Sequence, residues 1–92
     1  MKVLKLTYID FSGEKVVIKN GKVRSTFKGE FYFYDTGNNN KEYILDSERM
    51  IIREYRREEY TGEKRVIDFS VRVNNFEPIS KELKNACKKL NL

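Results

Sequence analysis

The chain has no histidine, one cysteine, one proline and one alanine among its 92 residues. The missing histidine removes the commonest general base and the commonest metal ligand. Cys87 stands alone, so no internal disulfide forms and a structural zinc site lacks its ligand set. A lone thiol fits a reducing cytoplasm better than a disulfide-stapled secreted scaffold. No run approaches the roughly 18 apolar residues of a membrane span. Lys5 interrupts the start from Met1 to Thr7, which lacks a signal-peptide core. None of the five glycines lies in a phosphate-cradling loop pattern. These absences point to a cytoplasmic chain with no cofactor, no metal, no membrane partner and no enzymatic activity.

What remains is rich in charge and aromatic rings. Charged residues make up 36% of the chain and hydrophobic ones 39%, which is globular rather than disordered. Six Phe and six Tyr must supply much of the core, because Ala86 is the sole alanine. The net charge of +5 is uneven. Residues 1–28 carry seven basic and two acidic groups, residues 29–76 eight and ten, and residues 77–92 four and two. Abundant Lys, Asn, Ile and Glu fit an AT-rich genome, bacterial or phage.

Gly13, Gly21, Gly29 and Gly37 recur every eight residues, with β-prone segments between them. Turns at such even spacing predict an antiparallel meander over residues 1–45. Asn20-Gly21 reads as a two-residue hairpin turn, pairing Ile18 with Val23. Three-residue loops at Phe11-Ser12-Gly13 and Lys28-Gly29-Glu30 pair Tyr8 with Val16, Leu6 with Ile18, and Phe27 with Phe31. These registers gather Leu4, Leu6, Tyr8, Val16, Ile18, Val23, Phe27, Phe31 and Phe33 on one core face.

A second hairpin is predicted over residues 50–73. A helix from Ser47 to Glu59 would stack Arg49, Arg53 and Arg57 at like-charge i,i+4 spacing, which disfavours it. A turn at Thr61-Gly62 pairs Met50 with Val73, Ile52 with Val71, Glu58 with Arg65 and Glu59 with Lys64. A one-residue bulge would instead set Tyr55 opposite Phe69. Residues 78–91 predict a helix with Pro78 in its first turn and Ile79, Leu83, Ala86, Cys87 and Leu90 on its buried face. The fold class is therefore α+β and mainly β. We expect one domain: a meander of six to seven strands, as a curled sheet or small partly open barrel, plus one C-terminal helix.

Little here suggests catalysis. Carboxylate pairs such as Glu58-Glu59 lie in a charge-rich strand. Asp35, Asn38, Asn40 and Glu42 offer oxygens for calcium, but their spacing misses the EF-hand pattern. The surface that stands out is the one opposite the core face, with Lys5, Thr7, Lys15, Val17, Lys19, Lys22, Arg24, Thr26, Tyr32 and Tyr34. It holds five basic residues and no acidic one. Lys5, Lys15, Lys19, Lys22 and Arg24 suit phosphates, and Tyr32 and Tyr34 suit stacked bases, so nucleic acid or another polyanion is the expected partner. The alternative is a protein-binding, inhibitory module of the kind phages and mobile elements encode. It would act through Arg53, Tyr55, Arg57 and Tyr60 on a hairpin edge, which also allows a homodimer.

Overall fold

The computed structural model describes residues 1–37, 41–57, 64–66 and 71–89, with backbone alone for 55–57 and 64–66. Among these, seven strands and one helix follow in order: β1 (Lys2–Ile9), β2 (Lys15–Phe27), β3 (Glu30–Asp35), β4 (Lys41–Asp46), β5 (Ile51–Arg57), β6 (Lys64–Val66), β7 (Val71–Pro78) and α1 (Lys81–Lys89). All pairings are antiparallel and run β4-β3-β2-β1-β7-β5-β6. A further β4–β5 ladder, from Glu42–Tyr55 to Asp46–Ile51, closes six of the strands into a barrel. Closure removes the two edges an open meander would leave exposed. No helix among the described residues is long and apolar enough to cross a membrane.

The first hairpin takes the predicted register, with Tyr8 opposite Val16 and Leu6 opposite Ile18. Asp10 organises its turn. One carboxylate oxygen accepts from the Ser12 hydroxyl at 2.6 Å and from the Ser12 and Glu14 amides at 2.9 Å. The Ser12 hydroxyl first, and the amides with it, hold this carboxyl below its usual range.

Asn20-Gly21 is not a turn, and Ile18 does not pair with Val23. β2 runs through the dipeptide as one strand of 13 residues. Gly21 faces Leu4 on one side and Asp35 on the other, and it is buried. A Cβ there would lie 2.7 Å from Leu4 Cδ1 and 2.9 Å from Phe33 Cδ2. The glycine serves close packing where a long strand bends around a barrel, not a positive φ.

The next turn has two residues rather than three. Lys28 and Gly29 both take positive φ, 50° and 80°, as a type I′ hairpin requires. Phe27 therefore pairs with Glu30, not Phe31. The one-residue shift turns Phe27 outward, and it is 60% exposed rather than part of the core. The same shift puts Thr26 opposite buried Phe31, on the inner parity at the rim, instead of on the outer face. Ser47, in the turn after β4, latches this hairpin: its amide and its hydroxyl both donate to the Gly29 carbonyl, at 2.9 and 2.5 Å.

In the second hairpin the half near the barrel follows the prediction. Ile52 faces Val71, and the Val73 amide donates to the Met50 carbonyl at 2.7 Å. The outer half does not. Arg57 faces Lys64, Arg56 faces Arg65 and Tyr55 faces Val66. Lys64 and Arg65 therefore take β5 partners other than the predicted Glu59 and Glu58, and Tyr55 one other than Phe69; Glu58, Glu59 and Phe69 lie outside the described residues. β5 pairs with β7 at Ile51 and Ile52 and with β6 from Tyr55 to Arg57, while its ladder to β4 continues as far as Tyr55.

The core comprises Leu4, Leu6, Tyr8, Ile18, Phe31, Phe33, Tyr43, Leu45, Ile52 and Val73 from the barrel, with Leu83 and Cys87 from α1. The helix is shorter than predicted. Pro78 ends β7 opposite Leu4, and Ile79 lies in the connector, 44% exposed. Ser80 caps α1, its hydroxyl accepting from the Leu83 amide at 3.3 Å and from Val3 at 2.8 Å. Leu90 lies outside the described residues. Burial pushes the Cys87 thiol up, in keeping with an inert core position.

The barrel interior also holds a pair of phenols. Tyr8 and Tyr43 are hydrogen-bonded to each other and nearly fully buried, and Tyr43 stacks on Phe33 at 5.3 Å between centroids. Burial, and then the neighbouring Tyr8, push Tyr43 well above its ordinary 10.0. Ionisation is thus harder in the folded state, so this stability is complete below about pH 10 and is lost as the pH rises through the folded value. Above about pH 10 the stability of the wild type is expected to fall more steeply with pH than that of Tyr43→Phe. Urea unfolding at several alkaline pH values reads the two slopes, and equal slopes would remove Tyr43 from this account.

Candidate nucleic-acid interface

Strand alternation sets this surface. Leu4, Leu6 and Ile18 point into the barrel, so Lys5, Lys15 and Lys19 point out and are exposed, while Lys22 is half-buried. Two register shifts in the β1–β2 and β2–β3 ladders adjust the pattern, and both fall on β2. Lys19 and Asn20 together oppose Lys5, between the Leu6–Ile18 and Leu4–Gly21 pairs. Arg24 is the extra residue between the Val23–Phe33 and Ser25–Tyr32 pairs. Each bulge carries one of the predicted cations, and bulges re-aim side chains while bending the strand.

The two halves of the predicted surface differ. On β1 and β2, Lys5, Lys15, Lys19 and Lys22 form no salt bridge among the described residues. On β3 the rings are already engaged. The Arg24 guanidinium lies over the Tyr34 ring, 4.4 Å from its centroid. The Tyr32 hydroxyl donates to Glu30 at 3.4 Å. Tyr32 and Tyr34 are half-buried, not free platforms.

The face is also not acid-free. The β3–β4 hairpin brings Glu42 of β4 opposite Tyr34 and within 3.8 Å of Arg24. The long-range β1–β7 ladder brings Glu77 of β7 opposite Lys5. Glu30 sits beside Tyr32 and is ion-paired with Arg53. Ile44 lies between Tyr32 and Arg53 in the register and is buried on this outer side. Glu42, Ile44 and Glu77 escape a sequence reading whose registers on this face end at Tyr34, before β4 and β7.

The alternative protein-binding residues are less gathered. Arg53 is committed to Glu30 and half-buried. Tyr55 and Arg57 hold backbone positions on β5, and Tyr60 lies outside the described residues. For calcium, Asn38 and Asn40 likewise lie outside them. Asp35 is on the inner side and Glu42 on the outer, so these two carboxylates do not converge. Among the described residues no three potential ligands gather around a metal position.

A groove of about 510 Å³ between the end of β2 and α1 also escaped the sequence reading. Lys2, Thr26, Glu82, Asn85, Ala86 and Lys89 line it. The only local signal for it was the helical spacing of Glu82, Asn85, Ala86 and Lys89, which shares one face. Comparison with family models, curated proteins and solved structures finds no match to this chain.

Proposed function

We propose that this chain is a small non-catalytic module that binds nucleic acid, or another polyanion, on the outer face of β1 and β2. One observation carries the reading: Lys5, Lys15, Lys19 and Lys22 lie on two adjacent strands and none is neutralised by a described carboxylate. Most nearby acids are spent elsewhere. Asp10 is bound within its turn, Glu30 to Arg53, and Glu42 to Arg24. Glu77, opposite Lys5, is the exception, so Lys15, Lys19 and Lys22 present the least compensated charge to solvent, while the paired acids do not repel a phosphate chain at full strength. The Arg24–Tyr34 stack sits at the end of this row. Its outer guanidinium face offers a planar, charged platform on which a base can lie.

The test is the salt dependence of binding to a labelled single-stranded oligonucleotide. Four to five phosphate contacts predict that log K falls with log salt at a slope of about −3, since a single strand contributes roughly −0.7 per contact. A slope near zero, or no binding at low salt, would overturn the proposal.

A further inference from the structure

We infer that a bound single strand runs the length of β2 and ends in the groove between β2 and α1, where one nucleotide unit is held. The inference rests on the binding face proposed above and extends it. β2 is the element that joins the two places. Lys15, Lys19, Lys22 and Arg24 succeed one another along it, and Thr26 at its end lines the groove. The bulge at Arg24 makes the link. By inserting one residue it turns Thr26 toward the helix side of the rim, while Arg24 stays over Tyr34 on the outside. Lys2 enters from β1, where it pairs with Val23 just before the bulge.

The groove has the chemistry of a nucleotide. Lys2 and Lys89 supply two ammonium groups, and Asn85 and Thr26 supply neutral donors and acceptors. Ala86 and the lysine stems give an apolar floor for a sugar or base. Its one acid, Glu82, is paired with the Met1 amino group at 2.7 Å. The volume of about 510 Å³ lies within the roughly 300–1,000 Å³ of small-ligand pockets. A convex barrel meets a stiff duplex over a short arc, whereas a single strand can follow the bend of β2 and turn over the rim. That geometry selects the single strand.

Anisotropy titrations with a labelled single strand of about twelve nucleotides test this, within the range of sites on small barrels. Lys2→Gln with Lys89→Gln is expected to weaken binding and to make the salt slope shallower by about 1.4, two contacts' worth. Lys89→Gln alone, which leaves the half-buried Lys2 in place, is expected to remove about half of that. Lys81→Gln with Lys84→Gln removes equal charge from exposed helix positions that do not line the groove, and should leave the slope unchanged. If the wild type binds the strand but the groove variants keep its affinity and slope, the groove is no part of the track. Equal loss in the Lys81/Lys84 control would reduce the effect to long-range charge and also overturn the inference. A wild type that binds no strand removes the proposed function itself, and this inference with it.

Discussion

Gly21→Ala is expected to lower stability by about 1–3 kcal/mol, while Asn20→Ala beside it changes stability by no more than about 0.5 kcal/mol. The alanine Cβ would fall 2.7 Å from Leu4 Cδ1 and 2.9 Å from Phe33 Cδ2, closer than real Cβ atoms approach their neighbours. Leu4 and Phe33 are both buried in the core, so neither can swing aside into solvent. The cost must appear as displaced core packing. Asn20 is exposed and sits in the bulge opposite Lys5. In a domain of this size each kcal/mol moves the midpoint of thermal unfolding by about 4–8 °C. A hairpin turn at the same dipeptide would give another pattern, because both residues would then need positive φ and Asn20→Ala would cost as well. Thermal or urea unfolding of the two variants separates the cases. A tolerated Gly21→Ala would contradict the close approach of β1, β2 and β3 at this point.

Lys19→Glu combined with Arg24→Glu is expected to abolish strand binding at about 0.1 M salt, with the fold retained and stability lowered by only about 1–2 kcal/mol through the Arg24 contacts to Tyr34 and Glu42. The two residues are exposed and sit at the two bulges of β2, so their reversal alters charge without opening the core. Two phosphate contacts become two repulsions. At low salt, where residual binding is measurable, the slope should be shallower by about 1.4. Loss of Arg24 also frees Glu42, now 3.8 Å from its guanidinium, to repel the ligand. It also removes the guanidinium platform held on Tyr34, on which the base is proposed to lie. An anisotropy titration that finds the double variant binding as tightly as wild type would place the polyanion elsewhere or remove it altogether.

Local signals carried the first hairpin. Asp10 and Gly13 define its turn, and alternation of Leu6, Tyr8, Val16 and Ile18 admits one register. The strand at residues 51–57 was legible from charge alone, since a helix would have stacked its arginines. Asn20-Gly21 misled because the dipeptide that favours a tight turn also suits a bend in a long strand. The choice was made by Leu4 and Phe33, which arrive from the neighbouring strands. Phe27 misled for a related reason: a loop shortened by one residue reverses the side chains from Phe27 back to the bulge at Arg24. At the site, the lysines could be read because β1 and β2 are neighbours in sequence. Glu42 could not, because the register of β4 on β3 has no local signal as clear as the first turn, and Glu77 and the β2–α1 groove could not, because the β1–β7 ladder and helix docking bring them in from far along the chain.

The β1–β7 ladder, which sets Leu4 against Pro78, also fixes when the barrel can exist. As the chain leaves the ribosome, β1 to β4 can pair in turn, each with the strand made just before it. One side of β1 must then stay bare until nearly eighty residues have been synthesised. Such distant pairing carries a large loop-closure cost before any contact repays it, which is the physical origin of slow folding in β topologies. During that wait the unpaired amides and carbonyls of β1 are open to other chains. On this edge, Lys2 and Lys5 place like charges on every nascent copy, so the cations that suit a phosphate chain in the finished barrel also keep its unfinished forms apart.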